Sequence, residues 1–231
     1  TASTTKNNFY FAGATTTGTN FGTYNIAMGE YAMQYATSGD SNFAVGYQAM
    51  AGVANNANTG SFNNALGVNS LSSNTSGSRN NAFGASALYF NTTGSHNNAF
   101  GQSSLYWNTT GSFNNALGNN ALDNNTTGSN NIGIGESTLF TNLLGSFNVA
   151  LGAKALYGGG GQSMSSSTAI GVWAGKSNMS GNNNLYLGDE ADALAGTYSN
   201  SAAIGSHSKV GASNSIVLGG TGSWAANVAI G

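Results

Sequence analysis

A five-residue motif that ends in glycine recurs along nearly the whole chain. Its pattern is Asn-Asn-Ala-Φ-Gly, where Φ is apolar, as in residues 80–84, 97–101 and 114–118. Most successive motif glycines are 17 residues apart. They are Gly29, Gly46, Gly67, Gly84, Gly101, Gly118, Gly135, Gly152, Gly171, Gly188, Gly205, Gly219 and Gly231. Self-similarity at a short fixed period is typical of a solenoid, in which each repeat forms one coil.

Each repeat has room for short strands but not for helices of ordinary length. A second glycine lies seven residues before the motif glycine in most repeats, as at Gly77, Gly94 and Gly111, so each repeat carries two turns. The remaining segments of about five residues have the usual length of strands. The sequence therefore predicts a short strand after each turn.

The same pattern predicts how the strands pair. The chain contains no Asn-Gly or Asp-Gly dipeptide, which is the strongest signal for a two-residue hairpin. We therefore expect an all-β fold, a parallel β-roll or β-solenoid of about 12–13 coils with the 17-residue repeat. Residues 1–24 form a degenerate N-terminal coil or cap, and residues 25–231 form the repeat domain, with enlarged loops near 51–60 and 157–167.

Stacked coils place the same repeat position of successive coils about 4.8 Å apart, in rows along the axis. The Φ row is apolar throughout and predicts the core: Met28, Val45, Leu66, Phe83, Phe100, Leu117, Ile134, Leu151, Ile170, Leu187, Ile204, Leu218 and Ile230. The residue before Φ is almost always alanine and must point to the opposite face of the strand. This alanine row indicates either a narrow coil interior or close packing of a second chain. We also expect Asn64, Asn81, Asn98 and Asn115 to stack through their side-chain amides.

The composition excludes several classes of function. Charged residues make up 5% of the chain, the formal net charge is −2, and 39% of residues are hydrophobic. Disorder of the usual kind and binding to nucleic acid or an anionic membrane surface are therefore not expected. The longest apolar stretches are far shorter than the roughly 20 residues that span a bilayer, so we expect no membrane insertion by this chain. With no cysteine, a disulfide framework and a thiol nucleophile are excluded.

No catalytic or cofactor-binding constellation can be assembled from the sequence. Asp189, Glu190 and Asp192 form a weak candidate for a Ca²⁺ site, although three carboxylates within four residues are more often a solvated turn. His96 and His207 are far apart in the order of coils, and the chain has no Gly-x-Ser-x-Gly motif. The sequence therefore predicts a protein that is not an enzyme and that has no cofactor.

Aromatic residues form the one candidate for a recognition surface. They follow the motif glycine by five or six residues: Tyr89, Phe90, Tyr106, Trp107, Phe140 and Tyr157. In stacked coils Tyr89 and Phe90 would lie about 5 Å from Tyr106 and Trp107. An exposed strip of this kind suits sugar rings or another protein, whereas a buried strip would lock an oligomer. We favour burial.

The motifs at 201–205, 214–219 and 227–231 resemble the head repeats of trimeric autotransporter adhesins, and similar repeats occur in phage tail fibres. The resemblance extends from about Asn25 to Gly231. It implies a left-handed parallel β-roll, three chains about one axis and an extracellular fibrous role.

Together these features predict a non-enzymatic extracellular fibre module, structural and adhesive, such as the head of a surface adhesin or a fibre shaft. We expect a homotrimer whose motif strands face the shared axis, and a host-surface glycan or protein as a further partner. Three alternatives stay open: a subunit of a head-to-tail filament, a receptor-binding segment of a phage tail fibre, and an ice-binding solenoid. The expected location is extracellular, at the cell surface or on a virion fibre.

Overall fold

The structure is a computed structural model, and it describes residues 7–11, 22–53, 58–158 and 163–220. These residues contain strands and turns and no helix. The chain divides into two compact units, Thr1–Asn114 and Asn115–Gly231. The first contains β1 (Phe9–Phe11), β2 (Ile26–Met28), β3 (Phe43–Val45), β4 (Asn64–Leu66), β5 (Asn81–Phe83) and β6 (Asn98–Phe100). The second contains β7 (Asn115–Leu117), β8 (Ile132–Ile134), β9 (Val149–Leu151), β10 (Thr168–Ile170), β11 (Leu185–Leu187), β12 (Asp192–Ala193), β13 (Ala202–Ile204), β14 (Lys209–Val210) and β15 (Ile216–Leu218).

The predicted parallel β-solenoid is confirmed. Within each unit, every motif strand pairs in parallel with the motif strand of the next coil, and the same repeat positions face each other, as in Ala82 and Ala99. A strand ends immediately before each motif glycine from Gly29 to Gly219. The segment predicted to be degenerate contributes β1, which pairs with β2 in the same register. The motif at 227–231, with Ile230 and Gly231, lies outside the described residues, as do parts of both enlarged loops.

The interior of each coil is formed by two rows. One is the alanine row, in which Ala82 and Ala99 are fully buried. The other lies four residues after each motif glycine and is called here the leucine row; Leu71, Leu88 and Leu105 in it are also fully buried. The alanine row is therefore explained by a narrow coil interior, since each short alanine leaves space for a leucine.

The prediction that the Φ row forms the core is wrong. Successive side chains of a strand point to opposite faces, so burial of the central alanine directs Φ outward. Leu66, for example, is 42% exposed, whereas Leu71 in the leucine row has no exposed surface. The Φ row and the alanine row are both apolar. The alanine row, which has the smaller side chains, occupies the interior because a 17-residue coil encloses little volume.

The segment after each motif glycine was expected to be a strand, and this prediction is also wrong for most coils. The second and fourth residues after the glycine have left-handed backbone conformations, with φ of 57° at Ser86 and 53° at Leu88. The coils nevertheless remain hydrogen bonded here, because the Leu88 and Phe90 amides donate to Ser104 and Tyr106 in the next coil at 3.0 Å. Among the described residues, only β12 and β14 in the second unit pair as strands at this side of the coil.

The motif glycine is required by both its conformation and its surroundings. Gly84 has φ of +141°, a value that residues with a side chain rarely adopt. A Cβ atom there would lie 2.5 Å from the carbonyl oxygen of Gly101 in the next coil. The glycine therefore allows the chain to turn while successive coils stay in contact.

Leu66 of the Φ row and Leu71 of the leucine row together test which row lies outside the coil and which lies inside. We expect Leu71→Ala to lower the free energy of unfolding by about 2–5 kcal/mol, because it leaves a cavity in the leucine row. Leu66→Ala is the matched control, and in the unassociated chain it should cost about 1 kcal/mol or less. Urea unfolding at low protein concentration measures both, and equal losses would contradict the assignment.

Candidate functional site

Each unit exposes apolar side chains on the outer face of its motif strands, which is formed by the first and third residues of each strand. The third residue is Φ. In the first unit Met28, Leu66 and Phe100 are 40–42% exposed, and in the second Leu117, Ile134, Ile170, Leu187 and Leu218 are 39–47% exposed. No charged residue occupies either position in any motif strand. A contiguous apolar surface of this kind marks a candidate interaction site.

The outer face of the first unit also carries a row of amides. Asn64 donates from Nδ2 to Oδ1 of Asn81 at 2.7 Å, and Asn81 donates in the same way to Asn98 at 2.7 Å. The amide stacking predicted from sequence is thus confirmed within this unit, and these three residues are called here the amide row. Beside it, Phe83 and Phe100 of the Φ row stack with centroids 4.9 Å apart.

The predicted aromatic strip forms two groups. In the first unit, Tyr89 stacks on Tyr106 at 5.3 Å and Phe90 stacks on Trp107 at 4.2 Å. Tyr89, Phe90 and Tyr106 are partly exposed, and Trp107 is 44% exposed. In the second unit, Phe140 stacks on Tyr157 at 5.3 Å, and Tyr157 contacts Trp173, which was not part of the predicted strip.

The arrangement of these rings favours a structural role over sugar binding. Sugars stack on the faces of aromatic rings, and the facing sides of Phe90 and Trp107 are closed by their mutual contact, with planes 7° apart. Within one coil, Tyr106 and Trp107 meet edge to face at 5.3 Å. Each such pair stabilises the fold by about 0.5–1.5 kcal/mol beyond the burial of its area.

The acidic cluster is divided between two ion pairs. Glu190 Oε2 accepts from Lys176 Nζ at 2.9 Å, and this contact lowers the pKa of Glu190. Asp192 is buried, accepts from the Ser177 amide at 3.0 Å and lies 3.6 Å from Lys209 Nζ. Asp189, Glu190 and Asp192, the weak candidate for a Ca²⁺ site, are therefore not arranged as one cluster. No group of three His, Cys, Asp or Glu side chains suited to a metal ion occurs in the part of the chain that the structure describes.

A shallow groove of about 480 Å³ runs along Lys176, Ser177, Met179 and residues 194–197, and its most exposed apolar side chain is Leu194. His96 stacks on Phe113 at 4.7 Å, and the Nδ1 atom of His207 lies 2.7 Å from the hydroxyl of Ser206.

Asp123 is a carboxyl group at a repeat position that holds an aromatic side chain in the next two coils of its unit. It occupies the same repeat position as Phe140 and Tyr157 in its unit. Burial raises the pKa of Asp123 to about 6, because desolvation disfavours the charged form. This group therefore changes its charge at mildly acidic pH.

Comparison with known proteins adds no assignment. No protein-family model matches the chain, and no curated protein matches it either. Across the described residues, the structure has no helix long and apolar enough to cross a membrane.

Sequence reasoning identified the aromatic contacts but missed the outer face as the exposed apolar surface. The signal was present in the central alanine of most motif strands. Only the alanine face of such a strand is small enough for a narrow coil interior, so the opposite face must point outward. The buried asparagines that precede most motif strands were also missed, because asparagine is usually read as a turn residue.

Asp123 generates a prediction on pH dependence. Between the usual pKa of an unfolded aspartate, about 4, and the raised value of about 6, the folded chain binds more protons than the unfolded chain. The free energy of unfolding should therefore fall as the pH rises through this window, by about 1 kcal/mol once solvent screening of a partly exposed group is included.

The Asp123→Asn variant should lose this dependence and be more stable than the parent chain at pH 7. Thermal unfolding from pH 4 to pH 7 measures both effects. Glu136→Gln removes an equal charge from an exposed position and serves as the control. An unchanged pH profile in Asp123→Asn would contradict the assignment.

The aromatic group of the first unit generates a second prediction. We expect Trp107→Ala to lower the free energy of unfolding by about 1–3 kcal/mol through loss of its ring contacts and buried area. On a glycan array, the parent chain and a Tyr106→Ala, Trp107→Ala variant should give the same result. A glycan signal that only the parent chain shows would establish the group as a binding site.

Proposed function

We propose that this chain is a non-enzymatic extracellular fibre module that self-associates as a homotrimer through the outer face of its motif strands. Its role is structural and adhesive, as in the head of a surface adhesin or the shaft of a fibre. The observation that carries this proposal is the Φ row, an apolar side chain on the outside of every described coil. A lone chain leaves this row in water.

The free energy gained by covering apolar surface supports association. Covering apolar surface stabilises a complex by about 25 cal/mol per Å², and the Φ row repeats the same gain in every coil. The surface has no charged side chain at the outer positions of the motif strands, so association across it would not bury an unpaired charge. Closed symmetry would let identical chains cover identical faces.

The resemblance of the motifs to adhesin head repeats supports the extracellular location and the number of three chains. A solenoid also builds length and surface from repeated units, which suits a fibre. A host-surface glycan or protein remains the proposed second partner.

The alternatives differ in what supports them. Head-to-tail stacking depends on the ends of the chain, and residues 1–6 and 221–231 lie outside the described residues. The phage-fibre role has the same support as the adhesin role, the resemblance of the repeats. Ice binding would need free threonine hydroxyls on a flat face. Thr75 and Thr92 instead donate their hydroxyl protons to carbonyl oxygens of the next coil at 2.9 Å.

Equilibrium sedimentation tests the proposal. We expect the parent chain to sediment at three times the 23.2 kDa mass of one chain. A Leu66→Glu, Phe100→Glu variant should remain folded by circular dichroism but dissociate, because each copy would bring charge to the apolar contact.

The matched control is Thr93→Glu, Gln102→Glu, which adds the same charge at exposed positions away from the outer face. It should remain a trimer. A parent chain that sediments as a single 23.2 kDa species, or a control that dissociates equally, would refute the proposal.

A further inference from the structure

The outer face of the first unit changes from apolar to polar along its length. The first residue of each motif strand after β1 is Ile26, then Phe43, then the amide row of Asn64, Asn81 and Asn98. In the second unit the same position holds Asn115 and then mainly apolar residues, including Ile132, Val149 and Leu185. The Φ row beside it does not change in this way. The face therefore carries a polar block with an apolar border.

Asn64 and Asn81 of the amide row have more hydrogen-bonding groups than the row itself uses. A carboxamide has two N–H donors and an oxygen that accepts two bonds. Asn81 uses one acceptor site for Asn64 and one donor for Asn98. Asn64 and Asn81 each use one of their two side-chain N–H donors for a hydrogen bond within the amide row. Covering these groups with apolar atoms would leave polar groups unsatisfied, which is unfavourable.

The spacing of the amide row selects the partner that can cover it. Its members recur at the distance between coils, about 4.8 Å. A partner must therefore offer donors and acceptors at the same interval over several coils. A second copy of this chain does so by construction, because its own amide row has the same repeat.

We propose that the amide row sets the axial register of self-association, so that copies lie parallel and at the same height with amide row against amide row. This inference rests on the proposed function. A displacement by one coil would place Phe43 of one copy opposite Asn64 of another, which loses the polar match. Buried asparagines that fix the register of coiled coils act by the same principle.

Distances between spin labels test the register. The chain has no cysteine, so Ser38→Cys and Thr93→Cys each provide one labelling site. Both sites are exposed, follow their motif glycine by nine residues and lie three coils apart. In a parallel assembly in register, both sites should give the same narrow distance between copies. In an antiparallel assembly the two sites would give different distances.

The amide row is then replaced in the labelled chains by Asn64→Val, Asn81→Val and Asn98→Val together. We expect the mass of the assembly to be unchanged and the distance distribution to broaden, with added components from copies displaced by one coil. The control variant Ile132→Val, Val149→Ile, Thr168→Val alters the same repeat position outside the amide row and should keep the narrow distribution.

A second variant addresses the same contact without relying on the triple substitution. Asn81→Asp brings carboxylates of different copies together, so association at pH 7 should weaken by about tenfold or more and recover at pH 3. Equal association at both values would overturn the proposal. So would different distances at the two sites of the parent assembly, or a triple variant that keeps the parent distribution.

The outcomes separate this inference from the function on which it rests. A parent chain that is monomeric refutes self-association itself. A parent chain that is trimeric but fails the label tests refutes only the role of the amide row.

Discussion

Hydrogen bonds between successive coils are the constraint on which the rest of the structure depends. A coil of 17 residues with two turns brings backbone carbonyl groups into its interior, where water cannot reach them. Two rows of buried asparagines supply the missing donors. Asn80 donates to the carbonyl oxygen of Gly94 in the next coil at 2.8 Å, and Asn91 donates to the same oxygen within its own coil at 3.0 Å. An unsatisfied buried carbonyl would cost about 1–3 kcal/mol, and this cost would recur in every coil.

The same asparagines also bind the coils to each other. Asn97 donates its backbone amide to Oδ1 of Asn80 at 2.9 Å, and Asn108 donates from Nδ2 to Oδ1 of Asn91 at 2.8 Å. Each side chain therefore satisfies a turn and a neighbouring coil at once. This double role explains why asparagine, which is neutral and has both donors and acceptors, is retained at buried positions of the repeat.

The interior has so little space that substitutions in it compensate one another. In the second unit Gly175 stands where the leucine row has leucine, and Tyr186 stands in the alanine row. A Cβ atom at Gly175 would lie 2.6 Å from the Tyr186 ring, so the aromatic ring occupies the volume that the missing leucine leaves. Burial, with the Asp192 carboxylate nearby, raises the pKa of the Tyr186 hydroxyl. The small residue thus stands in the leucine row and the large one in the alanine row, and together Gly175 and Tyr186 still fill the coil interior.

These features show which parts of the fold can be predicted from sequence. The period and the parallel register follow from motif spacing alone, because identical positions must stack. The inside and outside of the strand do not follow, because both Φ and alanine are apolar and the usual preference assigns the larger side chain to the core. The left-handed residues of the leucine row could not be predicted either, since leucine rarely adopts this conformation. Among the site residues, the contacts of Tyr89, Phe90, Tyr106 and Trp107 were predictable because rings at one repeat position must meet across coils.

The stacking of coils also explains the low charge of the chain. A charged residue repeated at one position would face its own copy about 5 Å away, and two like charges at that distance repel by about 0.8 kcal/mol even in water. The described ion pairs avoid this problem by alternating sign: Asp192 and Lys209 occupy the same repeat position in adjacent coils, and Lys176 pairs with Glu190 across coils. A solenoid built from near-identical coils is therefore driven toward neutral side chains. The outer face proposed here as an interface would therefore bind a partner through shape, apolar contact and amide hydrogen bonds, and a surface with a matching repeat would suit these interactions best.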